Sequence, residues 1–434
     1  MRTVILLLVF SILTLNPASA SPFSEKLVQP AKETLQEAAS ASKDFVKDKF
    51  AILKNKTSET FARITGKVND LVRKDLETDQ FIAHEVFIPG HEDKSFVCQG
   101  ITYLPASVAE DPASQLKNRT YRIALLSYYP KTDYTDLPAQ IVAVDMFSGK
   151  AIARFSLYLD KEKAYKGHAG GITAVGKYLW VASGYAIHAF SLKSIISFVS
   201  LARKAKTVSN FPVKSLVLPG AKLFSAISWP VDSKASYLSF DGKFLWVGDF
   251  TKDSNKSYAP IRHHQSNPWK KPTWISGYRV DKTGFPASRV KYSYKDGSAT
   301  RAAYKPDRVI CCRESVQGMA VFKDHIALSI SYGAANSKLA IYRSPMANSA
   351  KGRTIKFGEK IAIEAFVLGE KEGNWLKTVA LPAGSEDLEF DGRFLYVTFE
   401  GSSANYRNRW LLQNPKITIS ENFYLINPGK LLKD

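Results

Sequence analysis

GHAGGITAVGKYLWVAS, residues 167–183, decides how the rest of the chain is read, because four further stretches repeat its plan. They are CQGITYLP followed by YRIALLSYY (98–105 and 121–129), SYLSFDGKFLWVGDF (236–250), VQGMAVFKDHIALSISYG (316–333) and EDLEFDGRFLYVTFEG (386–401). Each begins with small or polar residues, runs through a short apolar strand, turns at Gly or a charged residue, and enters a second, aromatic-rich strand. Short runs of Val, Ile, Tyr, Phe and Trp between Gly, Asp and Asn turns read as β-hairpins.

Working outward, the copies recur at intervals of 71, 66, 81 and 69 residues. Two more strands complete most of them: AIHAFSL and VKSLVLP in the second, WISGYRV and SRVKYSY in the third, KLAIYRS and WLKTVAL in the fourth. A repeat of this length with four strands is the signature of a propeller blade. The expected fold is therefore an all-β, five-bladed β-propeller over residues 81–434, with AHEVFIP (83–89) lending a strand to the last copy, which is short of one.

Ahead of this domain the pattern changes. Arg2, an apolar run over residues 4–15 and Ala18-Ser19-Ala20 form a signal peptide over 1–20, too short to span a bilayer. Residues 21–80 then read as an amphipathic helical region, an N-terminal α-helical extension with apolar side chains such as Leu35, Phe45, Phe50, Phe61, Ile64 and Val68 at three- and four-residue steps. This stripe would pack on its own domain, or meet a lipid surface or protein partner. The leader places the chain as secreted or periplasmic.

The formal charge is +20, and residues 21–80 are almost balanced, so the excess lies on the β domain. It suits an anionic or polar extracytoplasmic ligand, such as a glycan, a phosphate-containing molecule or an envelope component, and it also simply keeps an exported protein soluble. No nucleic-acid-binding motif is present. Three cysteines exclude a disulfide scaffold. Cys98 bridged to Cys311 or Cys312 is the first expectation, and a vicinal Cys311–Cys312 bond the second.

The repeat alignment also places residues on one face, where the first strand of each copy starts and the second ends. Gln99, His168, Ser236, Gln317, Glu386 and Asp387 come from the starts; Tyr128, Tyr129, Ser183, Tyr185, Asp249, Tyr332 and Glu400 come from the ends. These residues differ between copies while the apolar framework repeats, which favours a specific site at the mouth of a central channel over a shared structural role. Three chemistries fit. Glu386 and Asp387, with Glu400, Asp249 and the Gln99 and Gln317 carbonyls, are hard oxygen donors of the kind calcium takes. His168 with Glu386 or Glu400 is a candidate acid–base set for a metal-assisted hydrolase of phosphate esters or glycans. The amides and aromatic rings would bind a ligand without turnover. With no G-x-S-x-G elbow, P-loop, H-E-x-x-H or EF-hand loop, recognition leads.

At these residues the chain resembles a family of exported bacterial propeller proteins known mainly as uncharacterised. The shared features are Cys98-Gln99-Gly100, the GHAGG segment at 167–171, the V-x-D-F strand at 247–250, Val316-Gln317-Gly318, and the closing segment 386–401 followed by Tyr406. The resemblance covers roughly residues 95–427 and implies the same propeller, but no activity. The chain departs from that pattern in lacking a proline between Cys98 and Gln99, and in adding residues 24–77 and the insertion 251–274, whose His263, His264 and Trp269 are further candidate contacts.

Overall fold

The computed structural model describes residues 76–104, 123–131, 136–204, 220–252, 268–296, 298–347, 350–357 and 361–433. All belong to the second of two compact units, Val72–Asp434. The signal peptide, the helical region up to residue 75, and His263 and His264 lie outside the described residues.

The protein is mostly β. β1 (Ile82–Phe87), β22 (Asn422–Ile426), β21 (Leu395–Phe399) and β20 (Ser385–Phe390) form one four-stranded sheet in that order. β14 (Val316–Phe322), β15 (His325–Ile330), β16 (Ser337–Arg343) and β19 (Trp375–Leu381) form a second, and β11 (Lys291–Asp296) with β12 (Ala299–Tyr304) a separate hairpin. The remaining strands make one 12-stranded sheet. Its path is β17 (Arg353–Phe357), β18 (Ile361–Val367), β13 (Arg308–Cys312), β10 (Thr273–Arg279), β9 (Phe244–Asp249), β8 (Gly220–Phe240), β5 (Lys150–Tyr158), β4 (Gln140–Asp145), β3 (Ile123–Pro130) and β2 (Phe96–Tyr103). β7 (Tyr178–Ser191) hangs on β8, and β6 (Ile172–Val175) on β7.

This arrangement corrects the expected five-bladed propeller. The five quoted copies do fold as antiparallel hairpins, but the sheets do not divide into five four-stranded blades, and none closes on itself. Hydrogen bonds between copies are the reason. β5 pairs in parallel with β8, from Arg154↔Gly220 to Tyr158↔Phe224, and β13 pairs in parallel with β18. Parallel ladders join strands distant in sequence, so a repeat period cannot reveal them. Among the described residues no N-terminal helix appears either: they open with a 3-10 turn, Glu77–Phe81. β1 does pair with β22, from Ile82↔Ile426 to Phe87↔Asn422, and so joins the first strand to the last.

Local chemistry explains the hairpins. In SFDGKFLW the Asp241 carboxylate accepts from the Lys243 and Phe244 amides and from Trp246 Nε1, at 2.9, 2.7 and 2.8 Å. EFDGRFLY repeats this, with Asp391 accepting from Arg393 N, Phe394 N and the Tyr396 hydroxyl. Gly242 and Gly392 take φ values of 89° and 90°, which only glycine adopts cheaply. One aspartate thus closes each turn and satisfies the polar tip of an aromatic ring whose body is buried. Trp180, Trp229, Trp246 and Trp274 are all essentially inaccessible, each adding about 2–3 kcal/mol of burial.

The strands that open the copies pack on one another: β2 against β6 and β20, β6 against β8, and β14 against β8 and β20. Their approach is too close for side chains at the repeat glycines. A Cβ on Gly171 would lie 2.4 Å from Leu238 N, and one on Gly318 2.6 Å from the Glu386 carbonyl.

Neither expected disulfide forms; Cys98, Cys311 and Cys312 are free and buried. Cys98 lies 3.4 Å from Thr398 Oγ1, and the neighbouring Cys311 and Cys312 enter two different core clusters. Successive residues of a strand face opposite ways.

Candidate functional site

A β-bulge interrupts the pairing where four of the five copies begin: Cys98/Ile101, Ala235/Tyr237, Val316/Gly318 and Ser385/Leu388. Bulges re-aim side chains, and three of these four do so toward one place. Gln317 Nε2 donates to Glu386 Oε1 at 3.1 Å, and Gln99 Nε2 donates to Glu400 Oε2 at 2.9 Å. Glu386 is 3% exposed and Gln99 2%, while Glu400, which opens the 3-10 turn after β21, is partly exposed.

Glu386 and Glu400 are close enough for each to shift the other's titration. Two adjoining carboxyls in a buried place repel when both are ionised, which favours a proton on one of them. Burial, reinforced by the charge of Glu400, holds the Glu386 carboxyl well above the usual range. Burial likewise raises Glu400, against the opposing hydrogen bonds from Gln99 and Glu386. The pair therefore keeps a shared proton toward neutral pH.

An aromatic wall stands beside it. The Tyr129 hydroxyl lies 2.8 Å from that of Tyr406, and the Tyr129 ring stacks on His168 with centroids 4.0 Å apart. Burial and then the Glu400 charge keep the Tyr129 phenol protonated. Tyr406, on the helix Ala404–Gln413, stacks in turn on Trp410 at 5.0 Å. His168 is solvent-exposed although protein surrounds much of its ring. That crowding lowers its pKa, an effect tempered by the open face. The backbone beside it is fixed: Ala169 sits at φ 48°, and its carbonyl accepts from Ser127 Oγ at 2.7 Å.

The structure thus assembles Gln99, Tyr129, His168, Gln317, Glu386 and Glu400, and it separates the others. Tyr128 points from the opposite face of β3 into the core, its hydroxyl on the Pro89 carbonyl at 2.7 Å. Ser183 meets Tyr165. The Tyr185 hydroxyl donates to Asp296, with the Arg301 guanidinium 3.6 Å from its ring. Ser236 and Asp249 brace the backbone, Ser236 Oγ accepting from Phe250 N and Asp249 Oδ1 from Lys234 N. Tyr332 is 49% exposed under Lys252 and beside Phe250. His168 makes no hydrogen bond to Glu386 or Glu400 among the described residues; its ring stacks on Tyr129.

Glu386 and Asp387, expected together as metal ligands, turn to different partners. Glu386 turns to Gln317 and Glu400, whereas Asp387 turns inward, where its Oδ2 accepts from Ile101 N at 3.1 Å and Ile172 N at 3.0 Å. Both glutamines, moreover, present N–H rather than carbonyl oxygen to the carboxyls. Among the described residues one trio could converge on a metal, His91, Glu92 and Glu421. There Arg407 already supplies the cation, at 2.6 Å from both carboxylates.

Below the pair lies Glu389, 3% exposed, with its Oε2 accepting from Thr102 Oγ1 and Thr173 Oγ1 at 3.2 and 2.7 Å. Burial raises its pKa to about 8. Sequence reasoning missed Glu389 and Tyr406 as parts of this polar centre. Glu389 was legible as the third acid of the SEDLEF strand, and Tyr406 as the aromatic residue just beyond the last copy.

No protein-family model matches this chain, and no curated protein matches it.

Proposed function

We propose that this protein recognises a neutral, hydroxyl-bearing ligand at the Glu386–Glu400 pair and does not transform it. The proton-sharing pair carries the reading. A carboxyl with its proton donates a hydrogen bond while its partner accepts one, which complements a hydroxyl group that does both. Gln99 and Gln317 hold the two carboxyls, and the Tyr129–His168 stack and Tyr406 supply ring surface beside them. Aromatic surface with a few placed polar groups is the usual make-up of a small-ligand site. Buried acids there repel an anion, so the polar ligand is favoured over the anionic one.

The hydrolase reading has less support. A phosphate ester would meet the repulsion of these acidic groups.

Isothermal titration of the full chain tests the proposal, with neutral oligosaccharides and polyols as probes and calcium chloride as the cation probe. Heat from a neutral probe that Q317A and Y406F weaken supports it. Calcium binding that E386Q abolishes, with no neutral probe bound, would replace it with the cation reading.

A further inference from the structure

The β11–β12 hairpin stands apart from the other sheets, and its two faces differ in chemistry. Its register pairs Lys291 with Tyr304, Ser293 with Ala302 and Lys295 with Thr300 on one face. The other face turns inward: the Tyr292 hydroxyl donates to Asp232 Oδ2 at 3.0 Å, Tyr294 and Ala303 are buried, and Asp296 pairs with Arg301 at 3.1 Å. The outer face carries no acid. Lys291, Ser293, Lys295, Thr300 and Ala302 are all exposed there.

At the base of that face the cations are held by rings. Tyr304 stacks on Trp229 of β8 with centroids 3.8 Å apart; Arg289 lies 4.8 Å from the Trp229 ring, and Lys291 5.0 Å from the Tyr304 ring. Val290, which stands between these two cations in sequence, is 55% exposed, and Ile227, two residues before Trp229 on β8, is 38% exposed. Exposed apolar side chains next to ring-held cations are poorly used by a soluble polyanion, but they match a surface with acyl chains beneath anionic headgroups.

We infer that the outer face of the β11–β12 hairpin, with Arg289, Val290 and Ile227, docks the protein on an anionic lipid surface. This face is independent of the carboxyl pair.

The test is co-sedimentation of the full chain with phosphatidylcholine vesicles, with and without phosphatidylglycerol, and heparin as a soluble polyanion. The expected result is binding to the phosphatidylglycerol vesicles only, weakened by salt. K291A/K295A, with an unchanged thermal melt, should lower it about thirtyfold, at about fivefold per surface lysine. V290D should also lower vesicle binding while leaving heparin binding nearly as it was. Vesicle binding that K291A/K295A leaves intact, or no vesicle binding at all, would overturn the inference. Heparin binding with V290D silent on vesicles would reassign the face to an anionic glycan.

Discussion

Replacing Glu389 by glutamine should make the protein more stable at pH 8 while changing little at pH 5. Glu389 is buried with its Oε2 between two threonine hydroxyls, and burial raises its pKa from the ordinary 4.5 to about 8. Between those values the native state holds a proton that the unfolded chain has released, so stability falls as pH rises. Each pH step there costs about 1.4 kcal/mol, so the full effect of this one side chain is on the order of 4–5 kcal/mol. Glutamine keeps an oxygen for Thr102 and Thr173 and never ionises. Its amide would face the Phe390 N–H, which now donates to Glu389 Oε1 at 3.2 Å, at a cost of about 1 kcal/mol. Urea melts of both proteins at pH 5 and pH 8 read the difference directly. Wild-type stability that rises from pH 5 to 8, or an E389Q variant equally destabilised at both, would refute the reasoning.

Other outcomes follow from the same geometry. D387A, which strips the acceptor from the Ile101 and Ile172 amides, should cost about 2–4 kcal/mol in a denaturant melt, and D387N clearly less. G318A, which would set a Cβ 2.6 Å from the Glu386 carbonyl, should cost on the order of 3 kcal/mol and weaken ligand binding with it. R407A should cost only about 1–2 kcal/mol, because its partners Glu92 and Glu421 are 37% and 48% exposed and water can solvate them. Since all three cysteines are free, a reducing agent should leave the melting temperature unchanged.

The hairpins were legible because their signals are local: alternating apolar residues, Asp-Gly turns, and a glycine wherever one strand crowds another. The way the hairpins combine was not. The parallel β5–β8 and β13–β18 ladders connect segments with no shared pattern, and they help to join the first three copies into one large sheet. The site divides along the same line. Gln99, Gln317 and Glu386 were found because bulges recur at equivalent repeat positions and aim their side chains together, and Glu400 because it follows the second strand of the last copy. Tyr128 was misplaced because a single step along β3 reverses a side chain, and Tyr129, its neighbour, took the site. Glu386 and Asp387 were expected to share a metal, yet the bulge at Ser385/Leu388 sends them to different partners. Cysteine pairing failed for a plainer reason, that nearness in a repeat alignment does not put two thiols on one face.

The central claim is that Glu386 and Glu400 share a proton poised for a neutral ligand. Carbon-13 NMR of chain labelled at the glutamate carboxyls, titrated with pH before and after adding a neutral oligosaccharide that binds, tests it most directly. Two coupled resonances, assigned with E386Q and E400Q, are expected to keep one proton between them well above the usual glutamate range and to move when the sugar is added. Two carboxyls that ionise independently near 4.5, or a pair indifferent to the bound sugar, would contradict it.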